Sequence, residues 1–278
     1  MTTTPPAPTP TPAGMDHDLY GDYLAPYTGA GAETAFTQVR NIIEYRLSHS
    51  PRSLQRRIGP SELGTPCDHC LAAKLAGWEE HTGSPSWYPG VGTAVHAMFS
   101  DLLIQEVITR RATDGTGAEW LSEQTVTVGR VGGVPITGSC DLYHVPTGTV
   151  IDFKVVGPTT ITAARTSGPS ETYQAQIDLY GTGWLNQGMP VTEVGIWYVP
   201  RNAPTLARGH VYHRPHDPDH AQRVLDRADR LAQQASTLAQ VVGEQARDAW
   251  ISQLPRADGC RSCERYPDYT PALDQITA

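Results

Sequence analysis

Residues 134–156 read VPITGSCDLYHVPTGTVIDFKVV, two runs rich in β-branched and aromatic residues on either side of Pro146-Thr147-Gly148. With residues 123–129 ahead of Gly132-Gly133, the runs 134–145 and 148–156 predict three antiparallel strands joined by tight turns. A two-residue turn at Pro146-Thr147 sets Asp141 opposite Asp152. A three-residue loop with Gly148 in the left-handed region shifts that register by one, so both pairings stand open. Asp152 and Lys154 lie two apart on one strand and share a face. Cys140 is expected to point away from Asp141, as a buried small hydrophobe.

Outward from this stretch the period changes. Residues 92–109 place Val95, Met98, Phe99, Leu102, Leu103 and Val107 at helical spacing and carry His96. Residues 171–186 predict a helix on which Tyr173, Gln176 and Tyr180 share one face. Residues 191–199 and 207–213 predict two more strands. A long helix is expected over 219–250, with Asp217-Pro218 as cap and first turn. Upstream, 34–48 reads as an amphipathic helix, 61–63 as a short turn, and 67–78 as a helix carrying Lys74. The fold class is α/β, with the core order helix, three antiparallel strands, helix, strand in a sandwich. Residues 1–33, opening on a Thr/Pro/Ala-rich run, are expected to be disordered, and 34–278 to form a single domain.

Two carboxylates and an ammonium, Asp141, Asp152 and Lys154, would converge in this arrangement. Hard oxygen ligands suit Mg²⁺ or Mn²⁺. Such an ion can activate a water and polarise a phosphate. Lys154 would position the water or offset charge in the transition state. His96 would add an imidazole, which favours Mn²⁺. Taken singly, each signal has a plainer reading. Two aspartates and a lysine at this spacing occur by chance, a histidine in an amphipathic helix is usually a boundary residue, and Tyr173, Gln176 and Tyr180 form a packing stripe.

Taken in order, GTAVHAMF around His96, GSCDLY around Asp141, VIDFKV around Asp152-Phe153-Lys154, and QIDLY from Gln176 to Tyr180 resemble the PD-(D/E)XK nuclease superfamily. Within it they are most similar to the RecB-like and CRISPR-associated exonucleases and their phage relatives. The resemblance covers roughly residues 55 to 265. It implies that His96, Asp141, Asp152 and the Phe153 carbonyl bind the metal, that Lys154 is catalytic, and that Gln176 and Tyr180 orient the active site or the DNA. The commonest acidic residue before the lysine motif in that family is Glu, where this chain has Asp152. The implied activity is a Mg²⁺/Mn²⁺-dependent deoxyribonuclease, an exonuclease acting on DNA ends or single strands in recombination, repair or replication. A structure-specific endonuclease and a non-catalytic DNA-end-binding adaptor are the alternatives.

Cys67-Asp68-His69-Cys70 and Cys260-Arg261-Ser262-Cys263 lie at opposite ends of this region. Four of the five cysteines in CxxC pairs, with no secretory leader read at the N-terminus, favour a metal over disulfides. By ligand count, four thiolates suit zinc and an iron–sulfur cluster equally. The resemblance implies a [4Fe–4S] staple, with Zn²⁺ the alternative. The relatives usually place one cysteine before the nuclease core and three after it, whereas here the split is two and two. Either metal would clip the two ends of the domain together. No thioredoxin-like βαβ pattern surrounds either pair, which excludes a redox CxxC.

The net charge of −8 excludes a general polyanion binder, so DNA would have to meet a local basic groove. Arg52, Arg56, Arg57, Lys74, Arg165, Arg201 and Arg208 are the candidate phosphate contacts, and Trp87, Tyr88 and Tyr173 the candidate stacking platforms. No sequence-reading motif stands out, which predicts sequence-independent, salt-dependent binding. No Walker A motif is present, so ATP-driven unwinding is not expected of this chain. A recombinase, annealing protein or helicase is the expected kind of partner. With no run of 18 apolar residues and no signal peptide, a cytoplasmic location in a bacterium or phage-infected cell is expected, away from membranes.

Overall fold

The computed structural model describes residues 31–49, 58–81, 86–115, 117–260 and 262–268. Most of the expected tail, and Arg52, Arg56 and Arg57, lie outside the described residues.

The first helices are α1 (Ala32–Ser48), α2 (Pro60–Leu63), α3 (Asp68–Leu75) and α4 (Tyr88–Asp114). Three strands follow, β1 (Trp120–Val131), β2 (Val134–His144) and β3 (Thr149–Val156). Then come α5 (Pro158–Ser167), α6 (Glu171–Asn186), β4 (Glu193–Pro200), β5 (His210–Pro215), α7 (Pro218–Val241) and α8 (Glu244–Ser252). The expected order of helix, three strands, helix and strand is present in a mixed α/β architecture. Its five strands run in the order β1-β2-β3-β4-β5. β3 and β4 are parallel and every other pair is antiparallel. A parallel pair needs a crossover, which α5 and α6 supply.

The β2–β3 register settles the open choice. Leu142 pairs with Ile151, Tyr143 with Val150 and His144 with Thr149, the alignment that a two-residue turn at Pro146-Thr147 gives. Gly148 closes it, donating its N–H to the Val145 carbonyl at 3.4 Å. Its φ of +62° belongs to glycine, and a Cβ there would lie 2.8 Å from the Pro190 carbonyl oxygen.

Helices cover both faces of the sheet. On one, Phe99 of α4 packs with Leu142, Phe153 and Val199, and with half-buried Val95, Leu103 and Trp197. The Phe99 ring stacks on Trp197 and meets Phe153 edge-on. The other face holds the larger core, where Val126, Val128, Cys140, Tyr143, Val150 and Ile196 meet Ile177, Leu179 and Trp184 of α6 and Leu225 and Ala228 of α7. Cys140 is fully buried there, as expected of a small hydrophobe.

The structure corrects the sequence reading in four places. The expected 219–250 helix is two helices, broken where Gly243 takes φ +111°, a conformation that ends helical hydrogen bonding. Helix α5 was not anticipated, because ITAARTS is rich in β-branched residues of low helix propensity; its start is set by Pro158 in the first turn. α4 begins four residues earlier than the 92–109 reading and runs to Asp114. On α4, Met98 and Leu102, part of the apolar pattern at helical spacing, are exposed, so the buried stripe is narrower than that pattern. By length and composition α4 is also apolar enough to cross a bilayer; its inner face packs on the sheet and carries His96.

Candidate active site

The antiparallel ladder is interrupted along one row of the sheet, and the interruption is made of carboxylates. β1 and β2 pair at Ser122↔Leu142 and at Gln124↔Cys140, skipping Glu123 and Asp141 between them. β2 and β3 pair as far as Leu142↔Ile151, so that Asp141 and Asp152 fall opposite each other just beyond the ladder. Glu123, Asp141 and Asp152 thus occupy one row across three neighbouring strands. Glu123 is the sole non-glycine residue with positive φ among the described residues, at +52°, and backbone strain of this kind collects at functional sites. Two-residue alternation also fails here. Cys140 and Tyr143 enter the larger core while Leu142 enters the smaller one.

The gap in the ladder is filled by side chains. Asp141 Oδ2 accepts the Phe153 backbone N–H at 2.6 Å. Its Oδ1 lies 3.1 Å from His96 Nδ1, and Glu123 Oε1 lies 3.9 Å from the same nitrogen. Glu123 Oε2 is held in turn by the Ser139 hydroxyl at 2.5 Å. The His96 ring meets Phe153 edge-on, which fixes the helix over the site. Burial of the His96 ring works against its charge, but the Asp141 hydrogen bond and the charges of Asp141, Asp152 and Glu123 outweigh it and raise its pKa.

Asp152 is 1% exposed. Lys154 Nζ lies 2.6 Å from its Oδ2 and forms an ion pair with it. Lys154 also donates to Gln176 Oε1 at 2.8 Å, and its Nζ lies 4.8 Å from the centre of the Tyr173 ring. Burial pushes the Asp152 carboxyl up to about 6, Lys154 pulling against that and Asp141 adding to it. Tyr180 is buried and its phenol is pushed up by burial. It closes on the sheet at Gly138, where a Cβ would crowd its ring.

The carboxylates and imidazole gathered here are groups that suit a hard divalent cation. One ligand atom each from His96, Glu123 and Asp141 lie within 4.8 Å of one another. The 3.1 Å between His96 and Asp141 matches the spacing of about 3 Å between adjacent corners of an octahedron with bonds near 2.1 Å. The donor set therefore fits Mg²⁺ or Mn²⁺.

The structure brings together His96, Asp141, Asp152, Phe153, Lys154, Tyr173, Gln176 and Tyr180, all named from the sequence. Glu123 was missed. In LSEQTVTV it reads as an ordinary exposed strand residue, and only its register opposite Asp141 marks it. Lys74 lies elsewhere, paired with Glu62 between α2 and α3. Arg165 is taken up by the carbonyls of Arg208 and Gly209. Arg201 stacks on exposed Tyr88 at 3.9 Å, and Trp87 is exposed beside it.

The two CxxC pairs also meet. Cys67 Sγ lies 3.6 Å from Cys263 Sγ, and Cys70 Sγ lies 3.6 Å from Cys263 and 3.9 Å from Cys260. Around them the chain ends are joined by Trp78 donating to Asp248 at 2.8 Å and by Arg265 pairing with Glu80 at 2.8 Å.

No family model and no curated protein matches the chain. Distant structural likenesses exist. An alkaline exonuclease from Laribacter hongkongensis aligns at 12% identity over 74% of this chain and 97% of its own, with a TM-score of 0.42. A phage-related exonuclease from Haemophilus somnus 129PT aligns at 16% identity over 61% and 80%, with a TM-score of 0.39. A putative exonuclease from Eubacterium rectale aligns at 16% identity over 90% and 98%, with a TM-score of 0.38.

Proposed function

We propose that this chain is a Mg²⁺- or Mn²⁺-dependent deoxyribonuclease that degrades DNA from its ends. One observation carries the reading. An interrupted row of the sheet gathers Glu123, Asp141 and Asp152 beneath His96, with Lys154 paired to Asp152. His96, Asp141 and Asp152 would hold the ion, with Glu123 beside them and the Phe153 carbonyl as the further ligand that the motif implies. A divalent ion there supplies polarisation of a phosphodiester and a lowered water pKa. The protein's part is positional. Gln176 and Tyr173 fix the Lys154 ammonium, which is placed to offset negative charge developing on the phosphate. Asp141, anchored on the Phe153 N–H, cannot swing away from His96.

The deciding assay compares end-labelled linear DNA with covalently closed circular DNA, with Mn²⁺ or Mg²⁺, for the wild type and Lys154→Ala. Digestion of the linear form alone, lost in Lys154→Ala while Mn²⁺ binding persists, supports the proposal. Cleavage of closed circles would make the enzyme an endonuclease. DNA binding without cleavage in either metal would leave an adaptor and end the hydrolase reading.

A further inference from the structure

The cysteine cluster has a size, and size separates the two metals that ligand count leaves tied. In a tetrahedral Zn–thiolate site with bonds near 2.3 Å, neighbouring sulfurs stand about 3.8 Å apart, the edge of that tetrahedron. Here three of the sulfur pairs stand 3.6, 3.6 and 3.9 Å apart. In a four-iron cluster each thiolate binds a different iron at a different corner of a cube, with inorganic sulfide between the irons. Its outer thiolates are then held well beyond sulfur–sulfur contact. Cys67, Cys70 and Cys263, with His69, offer ligand atoms within 4.8 Å of one another, and Cys260 lies 3.9 Å from Cys70, a spacing that suits one ion better than a cube.

The neighbouring histidine supports a four-sulfur set. His69 is fully buried, with Nε2 3.0 Å from Arg256 Nη2 and Nδ1 3.8 Å from Cys70 Sγ. A guanidinium only donates. His69 Nε2 is therefore the acceptor, and the proton of the neutral ring sits on Nδ1, facing Cys70. That places His69 as a donor to a thiolate rather than a ligand, the outer support that metal-bound sulfur commonly has. Asp68, the other polar residue of the pair, is taken by Arg227 at 2.6 Å.

We propose that Cys67, Cys70, Cys260 and Cys263 hold a single tetrahedral Zn²⁺ in place of an iron–sulfur cluster, with His69 donating to Cys70. The site joins the segment opening α3 to the one following α8. It stands whether or not the carboxylate site is a nuclease.

The test is to express the full chain in medium supplemented with both iron and zinc and to purify it without oxygen. Metals and acid-labile sulfide are then counted. Asp141→Ala is counted alongside, so that an ion at the carboxylates is not mistaken for one at the thiols. The expected result is about one zinc per chain in both proteins, no labile sulfide and no visible absorbance. Exchange of Co²⁺ for zinc should give the visible bands of a tetrahedral thiolate site, and a His69→Ala protein should shift them. A brown protein with about four irons and matching sulfide overturns the proposal, as does a protein that binds neither metal. If Cys67→Ser fails to fold, the cobalt spectrum of the wild type still decides.

Discussion

Asp152 is the residue on which stability and chemistry pull apart. Its carboxyl is held near 6, against an ordinary 3.8, so the folded protein binds that proton more tightly than the unfolded chain does. Stability then falls as pH rises through the window from about 4 to about 6, because the ionised form is the one the fold disfavours. Asp152→Asn should therefore melt higher than the wild type at pH 8 in the absence of divalent metal. The advantage should vanish near pH 4, where the native carboxyl is already neutral; thermal melts at the two pH values check it, and a variant less stable at pH 8 would contradict it. The same protons compete with a cation. His96, raised by its carboxylate neighbours, and Asp152 must both lose a proton to bind metal. Mn²⁺ affinity by calorimetry should rise between pH 6 and pH 8, and Glu123→Gln should weaken it roughly tenfold if Glu123 shares the ion, a loss of about 1.4 kcal/mol. Motif order made His96, Asp141, Asp152 and Lys154 legible in the sequence. Glu123 was not, because nothing local distinguishes a strand glutamate that faces a ligand across a ladder from one that faces water.

At the scale of elements, the site depends on turns that hold register. Gly148 has positive φ and backbone against the place of its missing Cβ. Gly148→Ala should cost about 1–3 kcal/mol and loosen Mn²⁺ binding too, since the turn sets Asp141 against Asp152; denaturant unfolding and calorimetry report the two effects separately. Helix α7 is capped by Asp217, which accepts the His220 N–H at 2.8 Å. Asp217→Ala should cost about 1 kcal/mol and leave metal binding alone. A heavier joint lies at Asp178, fully buried on α6, which takes both arms of Arg214 from β5 and His220 Nδ1 at 2.7 Å. Removing one partner of a buried pair strands the other, so Asp178→Ala should cost about 3–5 kcal/mol in chemical denaturation. The helices and strands around the motifs follow from period and turn residues. The break at Gly243 and helix α5 do not. A glycine's left-handed φ and a tertiary override of helix propensity are invisible to a one-dimensional pattern.

Across the whole molecule, a chain of net charge −8 that binds DNA through a few cations should lose affinity steeply with salt. A binding isotherm that stays flat between low and physiological salt would argue against a phosphate-tracking groove. The thiol site acts at this scale as well. Stripping the proposed zinc with a thiol-competing chelator should lower the melting temperature by several degrees, because it frees both ends of the domain at once. By itself the sequence determined the α/β order, the candidate residues His96, Asp141, Asp152 and Lys154, and the two distant CxxC motifs as one candidate metal site. These are properties of spacing and side-chain type, written locally along the chain. Only the tertiary structure decided the β2–β3 register, that Glu123 joins Asp141 and Asp152 in one row, and that the sulfurs of the two CxxC pairs come within 3.6 to 3.9 Å. Those are distances between residues far apart in the chain, fixed when strands register and helices pack, and no local pattern encodes them.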